Sequence, residues 1–217
     1  MARDERKVLV LGSGGHARTL LAVLRLMQIE ILGLTDKDPS RWGRDVDGIA
    51  VLGGDEAVAR WKPGEVWLVN GIGTVGLGGE TRRQIFETFS RAGYKFLTTI
   101  HPGAQVADVS GIAEGAQVQM GTLLQTGVRV GANSIVNSGA VVDHESVIGA
   151  HCHVSTGAVL CGSVTVEDGA FVGAGSVVRQ GVRIGAGCVL GAGSLVVEDL
   201  PAGHLCYGHP ARAVKRL

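Results

Sequence analysis

Aromatic side chains are nearly missing: four Phe, three Trp and two Tyr make up 4% of 217 residues, beside 35 glycines. A core of large rings is therefore not available, and slender aliphatic side chains must supply the interior. Charge of either sign is not in excess, because twenty basic residues face twenty acidic ones and no basic block occurs. That argues against nucleic acid or an anionic membrane as the main partner. No run reaches the roughly 18 apolar residues of a membrane span. The mixed-charge start, Met1-Ala2-Arg3-Asp4-Glu5-Arg6-Lys7, lacks the apolar region and cleavage site of a signal peptide, so a cytoplasmic location is expected. The four cysteines, at 152, 161, 188 and 206, contain no C-x-x-C pair. Zinc is not indicated, and in a reducing compartment the thiols stay free.

What is present is a period of six. From Val106, every sixth residue through Ile112, Val118, Leu124, Val130, Val136, Val142, Ile148, Val154, Leu160, Val166, Val172, Val178, Ile184 and Leu190 to Val196 is Val, Ile or Leu, without an insertion. Four residues after each anchor stands a small or slender side chain, such as Ala116, Ser134, Ala140, Cys152, Ala158 or Ser176. A branched residue and a small one in every hexad suit a triangular coil, with glycines such as Gly175 and Gly187 where the backbone turns. The pattern predicts a left-handed parallel β-helix with three hexads per coil and a little over five coils. Cys152 and Cys188 fall on its small positions and read as core.

The first hundred residues follow another rule. An apolar run, Lys7 to Leu11, ends in Gly12-Ser13-Gly14-Gly15-His16-Ala17; a helical pattern through Leu20, Leu21, Leu24 and Met27 follows, then a strand from Ile29 to Leu34 ending at Thr35-Asp36-Lys37. Gly12, Gly14 and Ala17 fit the G-x-G-x-x-[GA] fingerprint, which brings a backbone close to a phosphate at a helix N-terminus. Further strands are expected at Ile49 to Leu52, Val66 to Val69 and Tyr94 to Ile100, with helices at Asp55 to Trp61 and Glu80 to Ala92. The result is a Rossmann-like α/β domain over residues 1–98, the β-helix over 99–201 and a C-terminal tail over 202–217. Ligands of such sheets bind at the carboxyl ends of the strands. Gly12, Ser13, Gly14, Gly15, His16, Asp36, Lys37 and Gly71 are therefore the candidate nucleotide-binding residues. After Gly71-Ile72-Gly73 the chain carries further glycines at 76, 78 and 79.

Inside the β-helix one corner stands apart chemically: Asp143-His144-Glu145, with His151 and His153 close behind. A histidine between carboxylates on a rigid coil suits general-base work. A metal site would need ligands on stacked coils, about 18 residues apart; spacings of seven and two carry His144, His151 and His153 around the prism, and no metal is expected.

The α/β start, Ile100-His101-Pro102, the hexads, Asn137-Ser138-Gly139-Ala140-Val141-Val142-Asp143-His144-Glu145 and the tail Gly208-His209-Pro210-Ala211-Arg212 resemble one family over essentially the whole chain. It is the sugar O-/N-acyltransferase family of hexapeptide-repeat transferases, with sialic acid O-acetyltransferases and the nucleotide-sugar N-acetyltransferases of bacillosamine and perosamine synthesis. The resemblance implies acetyl-CoA as cosubstrate, with His144 as base and Glu145 supporting it. It further implies Asn137 near the acceptor sugar, His153, Gly162 and Ala174 along coenzyme A, and a homotrimer with active sites between subunits. The expected reaction is transfer of acetyl to the amine of a UDP- or GDP-linked 4-amino sugar. Competing readings are O-acetylation of a sialic acid, a non-catalytic nucleotide-sugar binder, and an NAD-dependent oxidoreductase with a β-helix for assembly.

Overall fold

The computed structural model describes residues 6–74 and 79–217, so Gly76 and Gly78 lie outside the described residues. The described residues form two compact units. One holds residues 6–73 with Glu80–Pro102; the other holds Thr74, Gly79 and Gly103–Leu217.

In the first unit, β1 (Lys7–Leu11), α1 (Gly15–Leu26), β2 (Glu30–Thr35), the hairpin strands β3 (Asp45–Val46) and β4 (Ile49–Ala50), β5 (Trp67–Asn70), α2 (Gly79–Arg91), β6 (Lys95–Phe96) and β7 (Thr99–Ile100) follow in order. The main sheet runs β2-β1-β5-β6, parallel throughout. Val8 to Leu11 are all fully buried, the continuous apolar run of a strand covered on both faces. On one face Ala17, Leu20, Leu21 and Leu24 of α1 pack on Val8, Val10, Leu34 and Val69. On the other, Ile85, Phe86 and Phe89 of α2 cover Leu9, Leu11, Leu68 and Phe96. This is the Rossmann-like architecture read from the glycine fingerprint. Two details differ from expectation. The segment from Asp55 is a 3₁₀ helix, Asp55–Arg60, and the last strand breaks in two after Phe96.

The second unit is the left-handed parallel β-helix. Each hexad places two residues in a strand, and the anchor is the inward one. Val118, Val136, Val142, Val154, Leu160, Val172, Val178, Ile184, Leu190 and Val196 are completely buried. Burying such a side chain contributes about 1.5–3 kcal/mol, so the column of anchors is the main cohesive element. Three faces result. The first carries Gln105–Val106, Leu123–Leu124, Val141–Val142, Val159–Leu160, Val177–Val178 and Leu195–Val196. The second carries Arg129–Val130, Val147–Ile148, Thr165–Val166 and Arg183–Ile184. The third includes Gln117–Val118, Ile135–Val136, His153–Val154, Phe171–Val172 and Val189–Leu190. It ends on His204–Gly208, which pairs with Val189–Leu190 and then antiparallel with Ala211–Arg216. That hairpin extends the sheet with an antiparallel strand.

The corners obey a rule of their own. From Gly115 to Gly193, the third residue after every anchor has φ between 56° and 73°. Ten of these fourteen positions are glycine; the exceptions are Asn133, Glu145, His151 and Ser163. A left-handed conformation costs a residue with a Cβ roughly 1–2 kcal/mol. From Ala116 to Ser194 the small positions are buried as anticipated, whereas Ser110 is exposed; Ser134, Ser146 and Ser176 donate their hydroxyls to Gly149 O, Cys161 O and Gly191 O. Among the described residues no helix is long and apolar enough to cross a membrane.

Candidate active site

The glycine loop of the first unit is built by close backbone approach. Gly12 has φ +96° and donates its N–H to Thr35 O at 2.9 Å. A Cβ on Gly71 would lie 2.8 Å from Leu11 O and 2.9 Å from the Ala17 Cβ, so only glycine allows β5 to end against the β1–α1 turn. A Cβ on Gly14 or Gly15 would meet nothing within 4 Å: the N-terminal turn of α1 opens onto free space. That helix has no side-chain cap and no acidic residue in its first turn. His16, half-buried, lies beside Gly73, and Lys37 is exposed. Asp36 is not free. Its Oδ2 accepts the Ser13 N–H at 3.2 Å and the Ser13 hydroxyl, and its Oδ1 accepts the Asp38 N–H at 2.9 Å.

In the second unit His144 stands on the corner between the first and second faces. Its backbone N–H is held by Asp143 Oδ1 at 2.7 Å, and its carbonyl accepts the Ser163 N–H at 2.8 Å. The imidazole extends over the next coil, where Gly162 lies one turn on. A Cβ at 162 would be 2.5 Å from His144 Nε2 and 2.6 Å from Cε1. Gly162 is therefore the platform of the ring. Glu145 Oε2 is 3.8 Å from His144 Nδ1, an ion-pair separation longer than a hydrogen bond. Both side chains are exposed, at 46% and 73%.

A second cluster lies at the opposite edge of the first face. His153, 7% exposed, faces outward from the third face. Its Nδ1 is 3.0 Å from Thr74 O and its Nε2 3.4 Å from Asn137 Nδ2. A carbonyl can only accept and an amide nitrogen can only donate. A proton on Nδ1 suits the Thr74 carbonyl. Phe171 closes on the ring edge-to-face at 5.3 Å. Asn137 Oδ1 is bound to the Ser138 N–H, and Ala174 lies exposed on the same corner two coils further.

The candidate residues thus form three groups: the glycine loop with Asp36, the trio His144, Glu145 and Gly162, and the edge of Asn137, His153 and Ala174. The width of the first face separates the last two, so His144 and His153 do not meet in one subunit. Between them runs a ladder of outward apolar side chains, Leu123, Val141, Val159, Val177 and Leu195, in register on successive coils. His151 turns away to another corner and pairs with Asn133 at 3.0 Å. Among the described residues no three His, Cys, Asp or Glu side chains converge as metal ligands. The Cys152 thiol is pushed up to about 12 by burial, which makes it inert packing.

Two arginines near the loop carried no sequence signal. Arg82, fully buried in α2, donates Nη1 to Asn70 O at 2.8 Å and Ile72 O at 2.7 Å, and burial pushes it down to about 9. Arg41 reaches Ser13 from a 3₁₀ turn.

Comparison with known proteins agrees with this layout. Residues 7–89 match the PglD N-terminal domain, and residues 163–197 match the bacterial transferase hexapeptide (six repeats). No curated protein matches the chain. Among solved structures, a histidine-to-asparagine variant of perosamine N-acetyltransferase from Caulobacter crescentus, in complex with CoA and GDP-perosamine, is 32% identical. The match covers 99% of this chain and 100% of that one, with a TM-score of 0.88. The acetyltransferase domain of PglB from Neisseria gonorrhoeae FA1090, in complex with acetyl coenzyme A, is 29% identical. It covers 97% of this chain and 100% of that one, at a TM-score of 0.89. Matched from end to end and carrying both halves of the architecture, the chain belongs to the sugar O-/N-acyltransferase family of hexapeptide-repeat transferases.

Proposed function

We propose that this protein is an acetyl-CoA-dependent N-acetyltransferase acting on the amine of a UDP- or GDP-linked 4-amino-deoxy sugar, with His144 as general base. The observation that carries the reading is the exposed imidazole of His144 resting on Gly162, in a chain matched over 99% of its length to an enzyme seen with CoA and GDP-perosamine. His144 Nε2 takes the proton that the amine sheds as its lone pair attacks the thioester carbonyl. The C–N bond forms, the C–S bond breaks, and coenzyme A departs with the electron pair. Glu145 lies close enough to favour the cationic ring that results. No acyl-enzyme is needed, since holding both substrates together removes much of the barrier.

The glycine loop and the open first turn of α1 take the nucleotide diphosphate. Asn137 and His153 serve the sugar and coenzyme A. The apolar ladder supports a homotrimer: a first face packed on a neighbour buries Leu123, Val141, Val159, Val177 and Leu195. A closed ring of such contacts brings the His144 edge of one subunit to the His153 edge of the next. Both substrates belong to the cytoplasm, where the protein acts.

Thiol release from acetyl-CoA, measured with UDP- and GDP-linked 4-amino sugars beside free and CMP-linked sialic acid, tests the reading. Turnover with an amino sugar is expected, with kcat falling about 10²- to 10⁴-fold in His144→Ala. Turnover confined to sialic acid makes the reaction O-acetylation, and undiminished activity in the variant removes His144 as base.

A further inference from the structure

The residues around Asp36 form a built device that the glycine fingerprint does not require. The Asp36 side chain, 13% exposed, ties the phosphate loop to the end of β2 through Ser13 N–H and the Ser13 hydroxyl. The Asp36 carbonyl accepts the Trp42 indole N–H at 2.7 Å. Asp38 Oδ1 caps the intervening 3₁₀ turn by accepting the Ser40 N–H at 2.9 Å. The turn Pro39–Arg41 is thus fastened at both ends, and what it delivers is Arg41. Arg41 Nη1 donates to Ser13 O at 3.2 Å and to Ser13 Oγ at 3.1 Å, and lies 3.6 Å from Asp36 Oδ2. Among the described residues its Nη2 makes no hydrogen bond, and the side chain is 46% exposed. Directly after Ser13 come Gly14 and Gly15, over which the space is open.

We propose that Arg41 is the cation that binds the diphosphate of the nucleotide sugar, and that Asp36 is the carboxylate that positions it rather than a group that contacts the ribose. The inference rests on the nucleotide-sugar reading above. A planar guanidinium suits it, because Nη1 can stay on Ser13 and Nε can face Asp38 Oδ2, 3.9 Å away, while Nη2 presents its N–H groups to phosphate oxygens. Asp36 is unsuited to the ribose role: both oxygens already hold backbone or hydroxyl donors, and Arg41 crowds one of them. An Arg–Asp contact at 3.6 Å whose guanidinium is half exposed contributes little to stability by itself. The bracing of this turn therefore serves position rather than cohesion.

Calorimetric titration of the full chain with UDP, GDP, their monophosphates and their nucleosides tests the proposal. The wild type is expected to bind at least one diphosphate more tightly than its nucleoside. Arg41→Gln is expected to weaken that diphosphate about 10- to 100-fold while the nucleoside stays within about twofold, with Arg41→Lys in between. In turnover the KM for the nucleotide sugar rises by a similar factor, while kcat and the KM for acetyl-CoA hold. Unchanged diphosphate affinity in Arg41→Gln, or equal loss of nucleoside and diphosphate, overturns the role of Arg41 and leaves the nucleotide-sugar reading standing. Asp36→Asn is expected to weaken the diphosphate and spare the nucleoside. If it instead weakens ribonucleosides but not 2′-deoxyribonucleosides, Asp36 contacts the ribose and its positioning role is overturned. A wild type that binds no nucleotide overturns both this inference and the reading beneath it.

Discussion

The two units record their structure in different ways. The β-helix repeats one instruction every six residues, so a residue that breaks the pattern is visible against its equivalents on neighbouring coils. The α/β unit states each instruction once, and a departure has nothing to stand against. At the corner between the third and first faces, Gly121, Gly139, Gly157, Gly175 and Gly193 all carry the left-handed turn. At the corner of His144 the same place holds Gly127, Glu145, Ser163 and Gly181. Strain is thus tolerated on two adjacent coils beside the candidate base, as it is at Asn133 and His151 on the third corner.

The strongest way to break that contrast is Gly162→Ala. Gly162 does not have a left-handed φ, unlike the corner glycines, and the atoms nearest a Cβ there all belong to the His144 ring. A methyl group displaces the imidazole without straining the coil. A 1 Å error in a catalytic group costs about 100-fold, so kcat should fall by that order while the melting temperature barely moves. A variant as active as wild type shows that the ring's seat on Gly162 has no catalytic importance; a large drop in melting temperature shows that the glycine serves the coil.

A smaller effect separates the two kinds of strained corner. Ser163→Gly relieves a left-handed residue, and stability should rise by up to about 1 kcal/mol once glycine's greater unfolded entropy is set against the relief. Asn133→Gly relieves the same strain but removes the amide that bonds His151 at 3.0 Å from a fully buried position. Losing that hydrogen bond costs about 0.5–1.5 kcal/mol, so this variant should gain less stability than Ser163→Gly. Equal shifts in denaturant midpoint for the two substitutions refute the distinction.

Legibility follows the same division. The anchors, their burial, the three faces and the small positions were readable because each is dictated by the diameter of the coil. The isolation of His144 from its neighbours was readable too, as the corner where glycine gives way to charge. The four left-handed exceptions were equally open to inspection, as hexads lacking glycine at one fixed place. In the α/β unit the fingerprint located the loop but not the part Asp36 plays in it, since whether a carboxylate faces ligand or protein depends on a turn that forms from Asp38 to Trp42. Arg41 and Arg82 carried no signal, because their targets are backbone atoms 28 and 10–12 residues away. The separation of His144 from His153 follows from geometry around the prism, and the sequence anticipated it through the count of residues between them.

The smallest effect bears on that Asp36 turn. Burial works to raise the Asp36 carboxyl, but the Ser13 hydroxyl, the Asp38 N–H and the charge of Arg41 together hold it below its ordinary 3.8. A carboxylate favoured by the fold adds stability that is fully present above its unfolded value and lost as pH falls through the lower folded value. The difference in melting temperature between wild type and Asp36→Asn should therefore be constant from pH 7 to about 5 and shrink below about pH 4. The same comparison with Glu167→Gln in the β-helix should differ in its salt response. Glu167 is held low by its bond to the exposed Arg183, a pairing that added salt screens more readily than the sheltered Asp36 turn. A melting difference for Asp36→Asn that persists unchanged to pH 3 means that the amide disrupts the turn by its shape and that the charge contributes nothing.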